Sequence, residues 1–261
     1  MSAIGNIPLP RNEPVKSYAP GTPERAELQG TIRTLGETVT PIPTVINGEH
    51  RFDTAAKGVF SPQRHRHRVA DLHGVEPGAL DGAIRGAVAA QRDWAAMRFE
   101  DRAAVFLRAA ELLAGPWRQR INAATLLGQG KTPHQAEIDA ACELIDFLRF
   151  NVHYAERLLH EQPSSSDNAW NRLDHRPLEG FIYAITPFNF TAIGGNLPTA
   201  PALLGNVVLW KPSHTASLSN WLFYRILEEA GLPPGVIQFV PGDPVAVTDA
   251  LLASRDFAGI H

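Results

Sequence analysis

The feature that most constrains this chain is a stretch of thirty residues without a charge, Phe181–Trp210, which ends at Lys211. A run of about 20 apolar residues can cross a bilayer. This run, however, contains three prolines and three asparagines. It therefore predicts a buried strand, a loop, a helix of small residues and a second buried strand. Polar side chains that could take part in binding or catalysis follow the two strands, at Thr186–Asn189 and at Lys211.

Composition narrows the class of protein. The 261 residues carry a formal net charge of −3, and their basic residues are scattered along the chain, which argues against a nucleic-acid partner. The single cysteine, Cys142, excludes an internal disulfide framework and a multi-thiolate zinc site. The first residues lack a basic segment followed by an apolar one, so we expect a cytoplasmic protein with no membrane span.

We divide the chain into three parts. Residues 1–35 read as a proline-rich arm followed by a first helix at Glu24–Leu35, and residues 36–176 as a helical region with antiparallel hairpin strands. Within that region, Asn47-Gly48 between two strand-like runs is the strongest short hairpin signal. Residues 177–261 form the third part, which alternates strands and helices.

The middle part is dominated by helical spacing. At least two helices are expected between Pro77 and Leu113, starting near Asp81 and Asp101. Thr132-Pro133 opens a long helix, and we expect four of its apolar residues to share one face: Ile138, Cys142, Ile145 and Val152. Trp170–Arg176 could return as a further strand.

After Lys211 the order becomes regular. The pattern predicts a helix at Ala216–Glu229, a stop at Gly231, a strand at Val236–Val240, a helix at Pro244–Leu252 and a strand at Phe257–Ile260. This alternating order predicts an α/β fold with a parallel sheet, whose ligands bind beyond the carboxyl ends of the strands. Asn189, Lys211 and Gly242 each follow a strand, so they could border one crevice. Because the chain ends at its third parallel strand, we expect an incomplete sheet.

Several longer motifs carry a family resemblance. They include RNEPVKSYAPGTPER near the start, SPQRHRHRVADLHG at 61–74, ELIDFLRFNVHYAERL at 143–158 and PFNFTAIGGNLPTAPALLGNVVLWKPS. With them the chain resembles the aldehyde dehydrogenase superfamily and, within it, the family of delta-1-pyrroline-5-carboxylate dehydrogenases, also called L-glutamate gamma-semialdehyde dehydrogenases. The motifs span almost the whole chain and match the N-terminal half of that family.

The resemblance implies an oxidoreductase of proline catabolism that oxidises glutamate semialdehyde to glutamate with NAD, using a cysteine nucleophile and a glutamate base. It implies the N-terminal part of the aldehyde dehydrogenase fold, with a Rossmann-like NAD-binding sheet at 177–261. The family's nucleophile and base lie beyond this chain, so we expect it to be inactive alone. A homo-oligomer at full length and a functional link to proline dehydrogenase are also implied.

The resemblance assigns four site residues. Asn189 matches the residue that stabilises the oxyanion, while Thr186, Lys211 and Gly242 match cofactor-binding positions. From the residues alone, Asn189 could equally cap the following helix, and Lys211 could be a solvated strand end. At His214 many members of the family have an acid that holds the ribose, so the choice between NAD and NADP stays open.

Two other signals carry little weight. His65 and His67 alternate with arginines whose charges oppose a cation, so with His73 they make a poor metal site and we assign none. Cys142 lies on an apolar helix face and reads as a packing residue. Two other functions remain open for the chain: a non-catalytic binding or subunit-interaction module, and an aldehyde dehydrogenase of another substrate range.

Overall fold

The structure, a computed structural model, describes residues 7–261. The helices are α1 (Pro23–Gly36), α2 (Leu80–Ala96), α3 (Phe99–Ala114), α4 (Arg118–Gln129), α5 (Pro133–Ala136), α6 (Leu144–His160), α7 (Thr191–Leu203), α8 (Ser217–Ala230) and α9 (Pro244–Leu252). The strands are β1 (Thr40–Ile42), β2 (Thr44–Ile46), β3 (Glu49–Arg51), β4 (Lys57–Ser61), β5 (Arg64–Leu72), β6 (Phe181–Ile185), β7 (Val207–Lys211), β8 (Ile237–Phe239) and β9 (Phe257–Ile260). The predicted α/β class is confirmed.

The larger sheet has six strands in the order β3-β2-β8-β7-β6-β9. Strands β9, β6, β7 and β8 are parallel, as the alternating order predicts. The chain runs outward from β6 to β7 and β8, and then crosses back so that β9 pairs on the other side of β6. This reversal is a topological switch, the place where open α/β sheets leave a crevice at their carboxyl edge.

The predicted hairpin joins this sheet. Asn47 and Gly48 both have positive φ, at 54° and 81°, as a two-residue turn with right-handed strand twist requires. The Asn47 N–H donates to Oε1 of buried Gln238 in β8 (2.7 Å), and the Gln238 amide donates back to Asn47 Oδ1 (2.7 Å). Gly86 of α2 leaves room for this pair, because a Cβ there would lie 1.7 Å from Asn47 Oδ1.

A second sheet of three strands, in the order β1-β5-β4, packs beside α4 and α8. Strand β1 runs parallel to β5, and β4 pairs antiparallel with β5. The carboxyl end of β5, at Leu72, leads into a segment that lines the candidate site.

The main core lies between the sheets and helices α3, α4, α6, α7 and α8. Its centre is Trp210 of β7, which is fully buried and meets the ring of Phe239 edge-on at 5.1 Å. Packing both faces of the parallel sheet in this way buries the strands completely, so the uncharged run is explained by core burial. Within residues 7–261 no helix combines the length and apolar character needed to cross a bilayer.

The long helix expected after Thr132 is interrupted by a π-helical segment, Glu137–Glu143, hereafter the π segment. The helix opens at Thr132-Pro133 as predicted, and the structure adds that Thr132 caps α5, with Gln135 completing a capping box. Cys142, Ile145 and Val152 are buried, but Ile138 is 42% exposed, so the prediction that it shares their face is wrong. In a π-helix the hydrogen bonds run from i to i+5, so each turn contains more residues than a turn of α-helix. Ile138, at the start of the π segment, is therefore rotated away from the face on which Ile145 and Val152 lie.

The prediction of a further strand at Trp170–Arg176 is also wrong. The segment has no regular structure, and only Ser166 and Ala169 form an isolated bridge nearby. Trp170 is 80% exposed, with the Arg172 guanidinium 5.4 Å from its ring centroid. A strand needs a neighbour for its backbone hydrogen bonds, and within the described residues this segment borders none.

Candidate active site

An open cleft of about 610 Å³ lies at the carboxyl edge of β6, β7 and β8. One wall comes from the ends of these strands and the loops after them: Thr186, Phe188, Lys211, Ser213, His214, Gly242 and Asp243. Three of these, Thr186, Lys211 and Gly242, are among the four predicted site residues. The opposite wall comes from the first residue of β4, the last residue of β5 and the segments next to them: Thr54, Ala55, Lys57, Leu72, Gly74 and Val75. The parallel sheet therefore brings together residues that are up to 57 positions apart in the sequence, from Thr186 to Asp243.

Thr186 ends β6 and is tied to the neighbouring strand. Its N–H donates to the Lys211 carbonyl (3.2 Å), and its Oγ1 accepts a hydrogen bond from the Trp210 indole (2.9 Å). The residue is only 3% exposed. Because the hydroxyl accepts from Trp210, it keeps its own hydrogen for donation to a ligand in the cleft.

Lys211 is the most buried cation of the cleft. It is 7% exposed, and its Nζ lies 3.5 Å from the carbonyl oxygen of Pro212, at the limit of a hydrogen bond. Burial lowers the pKa of the ammonium, while the Asp243 carboxylate opposes that change. An ammonium has three donors, so Lys211 retains hydrogen-bonding capacity for the hydroxyls or phosphates of a ligand.

Gly242 and Asp243 form the turn between β8 and α9. A Cβ on Gly242 would come within 2.8 Å of Val247 Cγ2 and 3.2 Å of Val75 Cγ1, so the glycine allows the turn to pack closely against the opposite wall. The Asp243 carboxylate caps α9 by accepting from the N–H groups of Val245 (3.0 Å) and Ala246 (2.9 Å). The sequence Asp-Pro at this position is a recognisable helix start, although the prediction did not place Asp243 in the site.

His214 lies beside Lys211 in the cleft. Its Nε2 is buried and has no hydrogen-bond partner within residues 7–261. Burial lowers the pKa of the imidazole, and the charge of Lys57 lowers it further. Both effects favour the neutral form of the ring.

Asn189 is the one predicted site residue outside the cleft wall. It is exposed on the loop between β6 and α7, next to Phe188, which does line the cleft. It does not cap α7. That helix begins at Thr191, and the Asp139 carboxylate accepts from the N–H groups of Thr191 (3.1 Å) and Ala192 (3.0 Å). Since another side chain performs the capping, the Asn189 amide remains available to a ligand.

Two charged residues behind this loop escaped the sequence analysis. Asp139 comes from the π segment, and Lys131 from the connection after α4. Lys131 Nζ lies 2.6 Å from Asp139 Oδ2 and 4.1 Å from the ring centroid of Phe190. About fifty residues separate Asp139 from the helix that it caps, and no local sequence pattern marks such a cap.

Cys142 has the environment of a packing residue. It is 5% exposed, and burial, with the nearby Glu137 carboxylate, raises the pKa of its thiol to about 12. The thiol is therefore protonated at neutral pH. Because a nucleophilic cysteine requires the thiolate, the expectation that Cys142 is not catalytic agrees with its surroundings.

A family model and the most similar known sequences point to the same family. The model of the aldehyde dehydrogenase family matches residues 52–261. The chain is 48% identical to delta-1-pyrroline-5-carboxylate dehydrogenase of Agaricus bisporus, over 99% of this chain and 48% of that protein. It is 49% identical to the mitochondrial enzyme of the same name from Rattus norvegicus, over 96% of this chain and 44% of that protein.

Among solved structures, the delta-pyrroline-5-carboxylate dehydrogenase of Mycobacterium tuberculosis bound with NAD is 54% identical, with a TM-score of 0.98. The match covers 100% of this chain and 49% of that one. The chain thus spans about half the length of the relatives it matches. With more than half of its residues matched by the family model, the chain belongs to the aldehyde dehydrogenase family.

Proposed function

We propose that this chain supplies the cofactor-binding wall and the oxyanion donor of an NAD-dependent dehydrogenase that oxidises L-glutamate gamma-semialdehyde to L-glutamate, the second step of proline catabolism. The observation that carries the proposal is the cleft that brings Thr186, Lys211 and Gly242 together at the carboxyl edge of the parallel sheet. The 54% identity to a protein solved with NAD supports the choice of cofactor.

The residues of the cleft suit a dinucleotide. NAD, when bound, supplies the acceptor for the hydride that leaves the substrate. Lys211 would donate hydrogen bonds to ribose hydroxyls, and Thr186 would donate one from its hydroxyl. The turn at Gly242 presents backbone, without a side chain, to the cofactor. A neutral His214 would repel the additional phosphate of NADP less than an acid would, so it does not decide between NAD and NADP, and we propose NAD.

Asn189 would act on the substrate. A nucleophile that attacks an aldehyde carbon drives electrons onto the carbonyl oxygen, and the Asn189 amide would donate a hydrogen bond to that oxygen as its charge develops. The amide does so without gaining or losing a proton. Removal of one such donor costs roughly 2.7–4 kcal/mol of transition-state stabilisation.

The nucleophile and the general base are proposed to lie outside these 261 residues. Cys142 is the sole cysteine, and it is buried and protonated. Aldehyde-dependent NADH formation by the purified 261-residue chain is therefore expected to be undetectable. Turnover comparable to that of an intact relative would overturn this assignment.

The cofactor assignment has its own test. Isothermal titration of the 261-residue chain with NAD should detect binding, which Lys211→Ala should weaken by about tenfold, as loss of a charged hydrogen bond predicts. Arg92→Ala is the matched control, because Arg92 is exposed on α2. Equal affinity in both variants would remove Lys211 from the site. A folded chain that binds no NAD would favour the non-catalytic binding module.

The wider expectations remain predictions: a homo-oligomer at full length, a functional link to proline dehydrogenase and a cytoplasmic location. Light scattering of a dehydrogenase-active polypeptide containing these residues tests the first. Co-purification with proline dehydrogenase activity and cell fractionation test the other two.

A further inference from the structure

The loop that carries Asn189 is held from behind by a set of five residues, here called the loop cluster: Lys131, Asp139, Phe190, Thr191 and Ala192. Asp139 is at its centre and is 3% exposed. Its Oδ2 accepts from Lys131 Nζ (2.6 Å) and the Thr191 N–H (3.1 Å), and its Oδ1 accepts from the Ala192 N–H (3.0 Å). One carboxylate therefore fixes the first turn of α7 through two backbone groups.

Lys131 adds a second restraint, closer to Asn189. Its ammonium lies 4.1 Å from the ring centroid of Phe190, within range of a cation–π interaction. Phe190 directly follows Asn189 in the chain. The ammonium thus contacts both the carboxylate that caps α7 and the ring at the end of the loop, and it couples their positions.

The Thr191 side chain is held as well. Its Oγ1 accepts from Gln129 Nε2 (2.7 Å) and lies within hydrogen-bonding distance of the hydroxyls of Thr125 (2.8 Å) and Ser219 (3.1 Å). Both the backbone and the side chain of the residue two positions after Asn189 are thereby fixed to α4, α8 and the π segment. Asn189 itself stays exposed in front of this buried support.

We propose that Asp139 and Lys131 are positioning residues for Asn189: they hold the loop at 187–190 so that its amide is already oriented when the oxyanion forms. The proposal rests on the oxyanion role proposed above for Asn189. Neither residue touches the substrate in this account. Their effect is geometric, and it is expected to be large because misplacing a catalytic group by 1 Å can cost ~100-fold in rate.

The first experiment uses the 261-residue chain and needs no activity. Hydrogen–deuterium exchange is measured in Asp139→Asn and Lys131→Met, with Thr132→Ala as control, because Thr132 caps the neighbouring helix α5. Exchange in the segment 187–196 should rise in the first two variants and stay unchanged in the control, while β7 and β8 keep their protection. Unchanged exchange at 187–196, or a uniform rise that includes β7 and β8, would overturn the proposal.

The second experiment separates positioning from mere stability. In a dehydrogenase-active polypeptide containing these residues, Asp139→Asn should lower kcat by ~10- to 100-fold with the KM for NAD unchanged. In an Asn189→Ala background it should lower kcat no further, because the positioned group is gone. Multiplicative losses in the double variant would contradict the proposal. If Asn189→Ala alone leaves kcat unchanged, the proposed function fails, whatever the exchange experiment shows.

Discussion

Two buried carboxylates of the π segment, Glu137 and Asp139, stabilise two different regions of the protein. The cations that pair with them differ in solvent exposure. Glu137 belongs to a group of five residues, here called the arm cluster: Glu13, Tyr18, Arg118, Asn122 and Glu137. It also accepts from the Lys16 N–H (2.8 Å) in the N-terminal arm. Asp139, only two residues further on, belongs to the loop cluster and binds backbone N–H groups. A single short segment thus anchors the N-terminal arm on one side and the candidate catalytic loop on the other.

The arm cluster is a network of ion pairs that continues from Glu13 to Arg149. Glu137 accepts from the Tyr18 hydroxyl (2.8 Å) and the Asn122 amide (2.8 Å), and it pairs with Arg118, which also pairs with Glu13. Burial works against ionisation of Glu137, but the hydrogen bonds, led by that from Arg118, outweigh it and lower the pKa of the carboxyl. The charges of Arg118 and Glu137 compensate each other inside the protein, so removal of either side chain leaves a buried charge without its partner.

The loop cluster is less enclosed. Its cation, Lys131, keeps 15% of its side chain exposed, whereas Arg118 keeps 2%. Water can therefore compensate part of any charge left unpaired there. The difference teaches that the arm cluster contributes mainly to global stability, while the loop cluster contributes mainly to local order near Asn189.

The strongest test of this contrast is Arg118→Met. It leaves the buried Glu137 without its cation, while Glu13 keeps Arg149, so the free energy of unfolding should fall by ~3–5 kcal/mol. Urea denaturation at pH 7 measures it. Arg120→Met is the control: Arg120 is exposed and contacts the Trp117 ring, so its loss should cost under ~1 kcal/mol. Similar losses in both variants would remove the distinction.

A somewhat smaller effect is expected from Glu137→Gln, which keeps one acceptor oxygen, and it should depend on pH. The folded-state pKa of Glu137 lies below its unfolded value, so its stabilisation is present above the unfolded pKa and is lost as pH falls through the folded one. The difference between the unmodified chain and the variant, ~3 kcal/mol at pH 7, should shrink steadily in acid. Urea denaturation at pH 7, 5 and 3 follows it, and a constant difference would contradict the ion pair.

Asp139→Ala should cost less than either change. It removes the cap of α7 but leaves a lysine that water can reach, so we expect a loss of ~1–2 kcal/mol in the free energy of unfolding. Thr132→Ala, which removes the cap of α5, should cost ~1 kcal/mol and serves as comparison. A loss as large as that of Arg118→Met would show that the two clusters are equally structural.

The smallest effect is expected at Lys211, in the cleft. Its pKa is lowered in the folded chain, so between the folded and unfolded pKa values the unfolded state binds more protons and stability rises with pH. Lys211→Met should therefore stabilise the chain by up to ~1 kcal/mol at pH 7, with a gain that shrinks toward pH 10. Thermal unfolding across that range measures it, and destabilisation at pH 7 would contradict the assigned burial cost.

The sequence predicted best where local chemistry determines the structure. Helix α9 has the predicted bounds because the Asp243 side chain caps it and Pro244 begins it. Helix α8 stops before Gly231, as predicted, because that glycine, with a φ of 94°, adopts the left-handed conformation of a helix C-cap. The parallel sheet and the cleft between its loops followed from the order of these elements. Three of the four predicted site residues meet there for the same reason.

The failures have physical causes. Helix α4 was missed because its buried face carries Arg118, Gln119, Asn122 and Thr125, which do not look like core. The π segment leaves no trace in hydrophobic spacing, so Ile138 was placed on the wrong face. The support behind Asn189 was invisible because the cap of α7 comes from a residue about fifty positions earlier.

The hairpin at Asn47 also has a consequence for how the chain is made. Its partner Gln238 lies 191 residues later, and translation at roughly 5–20 residues per second adds that length in about 10–40 s. A hairpin forms within microseconds, but alone it is only marginally stable in water. Until β8 has been synthesised, β2 therefore has an unpaired edge, and unpaired edges attract other chains. Protection of the nascent chain by a chaperone should matter most in that interval.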